Sequence, residues 1–277
     1  MPVAIKVNGV DRDIFIMGIL NLSPDSFYDN SRCTSETEVL QRAEQFIGEG
    51  VDILDVGGES SRPGSKPVPL DVELERTVPV IEKIRKHFDI PLSVDTYKPE
   101  VAKQVLGEGA DLINDITGLQ RHTEMARIIA QAQARVVIMH MKGTPETMQI
   151  KPHYDDLFGE IAGFFSTSIE IGENAGIEPG NIILDPGIGF GKTPQQNLDL
   201  IRHLNRFEGL KKPILLGPSR KSFIGHFLDG APAEDRLEGS LVSALTGVNQ
   251  GASYLRVHDV AATVRAIKMA SALGRRK

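Results

Sequence analysis

Asn21, Asp55, Asp95, Asn114, His140, Asp185, Ser219, Lys221, Arg256 and His258 each stand at or just past the end of a short apolar run. Carboxylates, amides and cations alternate in this set, a mixture suited to a flat ligand with many donors and acceptors and an anionic group. The set offers no nucleophile–base pair of the kind that covalent catalysis uses. Taken singly, Asp, Asn and Ser at such places also serve as helix N-caps, and Asp95, followed by Thr96 and Pro99, is a fair cap candidate. Taken together the residues favour a site, because capping has no use for Arg256 or Lys221. A hydrogen-bonded core histidine explains His140 nearly as well as a functional one, and Asp55 receives no role.

Three segments surround this set. Asp185-Pro-Gly-Ile-Gly-Phe-Gly-Lys192-Thr193 is glycine-rich, but its spacing fits neither a Walker A loop nor a dinucleotide fingerprint. It reads as a close-approach loop that brings Phe190 over the site. Leu22-Ser-Pro-Asp-Ser-Phe-Tyr-Asp29 and Gly57-Gly-Glu-Ser-Ser-Arg-Pro-Gly64 lack any apolar period. Long loops of this kind are usually lids or binding loops, and Phe27, Arg62 and Pro63 could supply an aromatic wall, an anion contact and rigidity.

The elements that must position these residues follow from the apolar runs themselves. Eight candidate strands are Phe15–Leu20, Asp52–Val56, Leu92–Val94, Leu112–Asn114, Val136–Met139, Ile182–Leu184, Pro213–Leu216 and Tyr254–Val257. Amphipathic stretches at Glu36–Ile47, Val72–His87, Glu100–Leu106, Thr123–Ala134 and Asp155–Asn174 supply the crossovers that parallel strands require. Ser240–Gly247 and Val260–Leu273 read as outer helices. Repeated βα order without a linker predicts one α/β domain, a (β/α)₈ barrel from about Phe15 to Val260, with a doubly wound open sheet as the weaker option. Residues 1–14 alternate around Asn8-Gly9 and predict a β-hairpin covering one barrel end. In a barrel the strand-end residues converge on one face, which makes the polar set a ring.

Composition narrows the function classes. A chain of 277 residues with 40% hydrophobic and 25% charged residues can bury a large core. A net charge of −6 gives no reason to expect nucleic acid or an anionic membrane as partner, although an acidic protein can own a basic pocket. Cys33 is the sole cysteine, which excludes an internal disulfide and fits a reducing cytoplasm. No apolar run reaches the length of a membrane span or a signal core.

Over nearly its whole length the sequence resembles the dihydropteroate synthase family of pterin-binding barrels. The stretches that carry the resemblance are Met17-Gly-Ile-Leu-Asn-Leu-Ser-Pro-Asp-Ser-Phe27, Gly57–Gly64, Ser93-Val-Asp-Thr96, Asn114-Asp-Ile116, Asp185–Gly191, Ser219-Arg-Lys-Ser-Phe223 and Arg256-Val-His-Asp259, all in the family's order. It implies a homodimeric cytoplasmic transferase of folate biosynthesis that condenses 6-hydroxymethyl-7,8-dihydropterin diphosphate with 4-aminobenzoate, releasing diphosphate, with Mg²⁺ as cofactor. By the same resemblance Asp95, Asn114, Asp185, Lys221 and Arg256 bind the pterin, and Asp95, Lys221 and Arg256 are the catalytic set. Asn21, Arg62, Arg256 and His258 take the diphosphate, with Asn21 also on the metal. Phe27, Ser61, Pro63, Phe190 and Ser222 take aminobenzoate. Ser23 and Ser61 replace the family's usual threonines, and Tyr28 with Asn30-Ser31-Arg32 replaces a glycine-rich continuation. Two rival readings are a methyltetrahydrofolate:corrinoid methyltransferase, which would not need the first two loops, and a non-catalytic pterin-binding protein, in which the diphosphate residues would be superfluous.

Overall fold

The computed structural model describes residues 3–7, 10–22 and 36–274. Its strands are β1 (Val3–Val7), β2 (Val10–Asn21), β3 (Ile53–Gly57), β4 (Leu92–Asp95), β5 (Leu112–Asp115), β6 (Arg135–Met139), β7 (Ile182–Asp185), β8 (Ile214–Leu216) and β9 (Ala252–Val257). From β2 to β9 each strand pairs parallel with the next, and β2 pairs parallel with β9, with Phe15 opposite Tyr254 and Met17 opposite Arg256. The sheet is therefore a closed eight-stranded parallel barrel, and the open-sheet alternative is ruled out. Strand β1 pairs antiparallel with the first residues of β2, Val3 opposite Ile14 and Val7 opposite Val10. Asn8-Gly9, on which the turn expectation rests, lies outside the described residues.

The helices are α1 (Glu36–Glu49), α2 (Leu70–His87), α3 (Pro99–Gly107), α4 (Thr123–Gln131), α5 (Leu157–Asn174), α6 (Pro194–Arg202), α7 (Ser222–Phe227), α8 (Leu237–Asn249) and α9 (Val260–Gly274). Helix α6 is absent from the helical stretches read from the sequence. Its signal was present: Thr193 accepts the Gln196 N–H while Gln196 accepts the Thr193 N–H, a capping box followed by Pro at the first helical position. Asp95 is not a cap, since α3 begins beyond Lys98 and takes no side-chain cap.

Strand periodicity explains how this fold presents a polar ring. Outward residues such as Leu54, Val94, Ile138, Leu184 and Leu216 pack into the main core with the helices. Inward residues Met17, Ile53, Leu112, Val137, Ile183, Leu215 and Tyr254 form a separate buried layer inside the barrel. Phe15 stacks on Tyr254 at its lower edge, ring centroids 4.8 Å apart. Side chains alternate across a strand, so the next inward residue lies two positions further on. Those residues are Ile19, Asp55, Asn114, Met139, Asp185, Gly217 and Arg256. One strand period thus separates a dry plug from a layer of charges and amides at the C-terminal face.

Candidate active site

Arg256 organises the polar layer. Its Nε donates to Asp55 Oδ2 at 2.7 Å, and its Nη2 lies 2.6 Å from the same oxygen and 2.9 Å from Asp95 Oδ2. Ser93 donates to the other Asp55 oxygen at 2.5 Å. Asp55, which the sequence left without a role, is the buried anchor that fixes the guanidinium plane. Burial pulls the Arg256 pKa down, but Asp55 and Asp95 more than offset it and hold the group above the usual arginine range. Burial, reinforced by Asp55, Glu73 and Glu59 and opposed by Arg256, lifts Asp95 to about 7.

Asn114 stands opposite Asp95 in the β4–β5 register, and its buried Oδ1 has no hydrogen-bond partner within the described protein. An orphaned acceptor of this kind calls for a donor from outside. Asp185 Oδ1 accepts the Gly187 N–H at 2.7 Å, and burial raises its pKa against the pull of Lys221. Lys221 is depressed by burial to about 8, with Asp185 opposing the shift. Its ammonium donates to the Ile188 carbonyl and lies 4.5 Å above the Phe190 ring centroid.

The loop after β7 owes its path to glycine. Gly187 and Gly191 both have positive φ, and a Cβ at either would collide with a backbone oxygen, that of His140 or of Lys142. Beneath it Lys192 is wholly enclosed, donating to the Phe190 carbonyl at 2.9 Å and lying 3.0 Å from His140 Nδ1. Burial and the Lys192 charge drive His140 down to about 2. The His140 ring packs edge-on against Phe164.

A cavity of about 340 Å³ opens beside this layer, lined among others by Asn21, Ser61, Arg62, Pro63, Asp95, Phe190, Lys221, Ser222, Arg256 and His258. Asn114 and Asp185 are buried at neighbouring strand ends and do not line it. Phe27 lies outside the described residues. Helix α7 has only six residues, so at Ser222 the exposed hydroxyl and N–H count for more than a dipole. Ser219 Oγ lies 3.0 Å from His258 Nδ1 and accepts the His258 N–H at 3.2 Å. The two side chains thus touch, although the sequence set was read as holding no nucleophile–base pair. Burial and the cations Arg256, Arg220, Arg62 and Lys221 push His258 to about 3, which makes it a poor base and leaves Ser219 a weak nucleophile.

Sequence reasoning also missed Arg220. It grips Asp259 through two parallel 2.7 Å bonds and donates to the Ala233 and Glu234 carbonyls, all from a left-handed backbone with φ 54°. This anchoring holds Ser219 and Lys221 on either side of it toward the cavity.

Residues 17–258 match the pterin binding enzyme family. The chain is 42% identical to a dihydropteroate synthase of Synechocystis over 99% of its length and 95% of that protein. A structure of Xanthomonas albilineans dihydropteroate synthase with 4-aminobenzoic acid superposes with a TM-score of 0.88 at 38% identity, covering all of both chains. The Burkholderia cenocepacia dihydropteroate synthase complexed with 7,8-dihydropteroate superposes at 0.84, also 38% identical, over 98% of this chain and 96% of that one. With this polar ring inside a parallel barrel and these likenesses at full length, the chain belongs to the pterin-binding enzyme family, among the dihydropteroate synthases, transferases of folate biosynthesis.

Proposed function

We propose that the site condenses 6-hydroxymethyl-7,8-dihydropterin diphosphate with 4-aminobenzoate to 7,8-dihydropteroate and diphosphate by a dissociative displacement. The observation that carries this reading is the buried acceptor set of Asp95, Asn114 with its orphaned Oδ1, and Asp185, set against Lys221 and Arg256. A pterin edge offers amino, ring N–H and carbonyl groups, and this set answers each of them. Asp185 takes the amino and N–H side, Lys221 the carbonyl, and Asp95 with Asn114 the reduced ring. Arg256, fixed by Asp55, lies against the heterocycle and directs charge toward the diphosphate, which Asn21, Arg62 and His258 also face.

The C–O bond to diphosphate breaks with its electron pair on the leaving oxygen. Asp95 stabilises the positive charge left on the pterin methylene. The neutral aniline nitrogen supplies its lone pair for the new C–N bond and then loses a proton, so no strong general base is required. Pro63, Phe190, Ser61 and Ser222 hold aminobenzoate, joined by Phe27 of the first loop. Among the described residues no group of three or more His, Cys, Asp or Glu side chains could hold a metal. The Asn21 amide oxygen fits a magnesium ion that takes few protein ligands and fills its shell with phosphate and water. When bound, that ion would offset charge on the departing diphosphate.

The hairpin at the N-terminus is assigned to the opposite barrel end, the protein to the cytoplasm, and the assembly to a homodimer. Incubation with Mg²⁺ and dihydropterin diphosphate should give diphosphate release that depends on aminobenzoate. Pterin binding without such release would leave a binding protein and sink the synthase reading.

A further inference from the structure

We infer that Lys98 is a positioning residue that fixes the second loop as a wall of the cavity. Lys98 does not line the cavity itself. Its ammonium donates to Glu59 Oε2 at 2.6 Å, to Glu73 Oε2 at 2.5 Å and to the Val68 carbonyl at 2.8 Å. Glu59 Oε2 also accepts the Val68 N–H at 3.2 Å, and Glu59 Oε1 accepts the Tyr97 hydroxyl at 3.0 Å. Glu59 and Val68, the two ends of the loop, therefore meet at one cation. Ser60, Ser61, Arg62 and Pro63 form the span between them that faces the cavity.

The clip is electrically demanding. Side-chain exposure is 14% for Lys98, 9% for Glu59 and 1% for Glu73, so two enclosed carboxylates depend on one ammonium. Glu73 Oε1 is buried without a partner, which leaves no second donor to take over. Loss of the cation would set like charges against each other with little solvent to screen them. Arg76 still ties the Gly58 carbonyl to α2 at 2.9 Å, so displacement would fall on residues 59–68 and spare the barrel.

This inference rests on the proposed reading of the cavity as the aminobenzoate and diphosphate side. Lys98→Met should raise KM for aminobenzoate and for dihydropterin diphosphate roughly tenfold or more, as expected for misplaced substrate contacts. kcat should change far less, and the Kd of 6-hydroxymethylpterin, which lacks the diphosphate, should stay within about twofold, because Asn114, Asp185 and Arg256 lie on other strands and Asp95 keeps its own tie to Arg256. Lys98→Arg, which can serve both carboxylates, should restore KM. If Lys98→Met fails to fold by circular dichroism, Lys98→Met/Glu73→Gln removes the excess buried charge yet still lacks the clip, and should fold with raised KM. Folded variants with unchanged KM, or with equal loss of 6-hydroxymethylpterin binding, would overturn the inference. Absence of aminobenzoate-dependent release in the unaltered protein would instead overturn the functional reading.

Discussion

Two charges in the polar layer must be right at once, and burial has moved them toward each other. Asp95 is lifted to about 7, so its carboxylate form prevails only above that pH. Lys221 is lowered to about 8, so its ammonium form prevails only below that pH. Both carry their working charge in the narrow window between, and kcat/KM should follow a bell with an acid limb near 7 and an alkaline limb near 8. Asp95→Asn should remove the acid limb while lowering the rate, and Lys221→Arg should push the alkaline limb upward. A profile that stays flat from pH 6 to 9 would contradict the assignment. His258, held near 3, contributes no limb in this range.

Elements differ in how much of the site depends on them, and two substitutions a few residues apart separate the effects. Gly187→Ala places a Cβ against the His140 carbonyl from a left-handed backbone. It should cost at least the roughly 1–3 kcal/mol typical of such strain and also lower activity, since the loop carries Phe190. Thr193→Ala removes only the α6 capping box, about 1 kcal/mol, and should leave kcat/KM unchanged. Urea unfolding beside steady-state kinetics checks both, and equal kinetic losses would contradict the distinction. The same contrast marks what was legible in the sequence. Apolar runs gave all eight barrel strands, and strand ends gave Asp95, Asn114, Asp185 and Arg256, because alternation dictates which residues face inward, while Lys221 stands in the loop between β8 and α7. Partners across the closed barrel were not legible: Asp55 and Arg256 are 201 residues apart, and only the β2–β9 closure brings their strands to the same ring. Lys98 escaped notice for a related reason, as its partners come from a loop and a helix whose approach no local pattern encodes.

At the scale of the whole molecule, a chain of net charge −6 concentrates cations at the candidate site, with Arg62, Arg220, Lys221, Arg236 and Arg256 on the cavity wall against Glu59 and Asp95. Global charge and local field therefore differ in sign, and the local one suits the anionic substrates proposed for the cavity. The opposite problem appears on the outside, where α8 exposes Val242 at 65% and α9 exposes Met269 at 58% and Leu273 at 75%. Met269 and Leu273 are one helical turn apart and share a face, and α8 and α9 pack side by side. Large apolar side chains left exposed on adjoining helices suit the proposed homodimer. Sedimentation velocity should therefore give twice the chain mass. Val242→Glu/Met269→Glu, which sets charges where two copies would meet, should shift the protein to monomer with the barrel's circular dichroism intact. A clean monomer for the unaltered chain at high concentration would refute the assembly. The active-site layer lies inside each barrel and is built from one chain, so the monomeric variant should keep aminobenzoate-dependent diphosphate release. Loss of turnover on dissociation would instead show that the second subunit holds loops that a single barrel cannot keep in place.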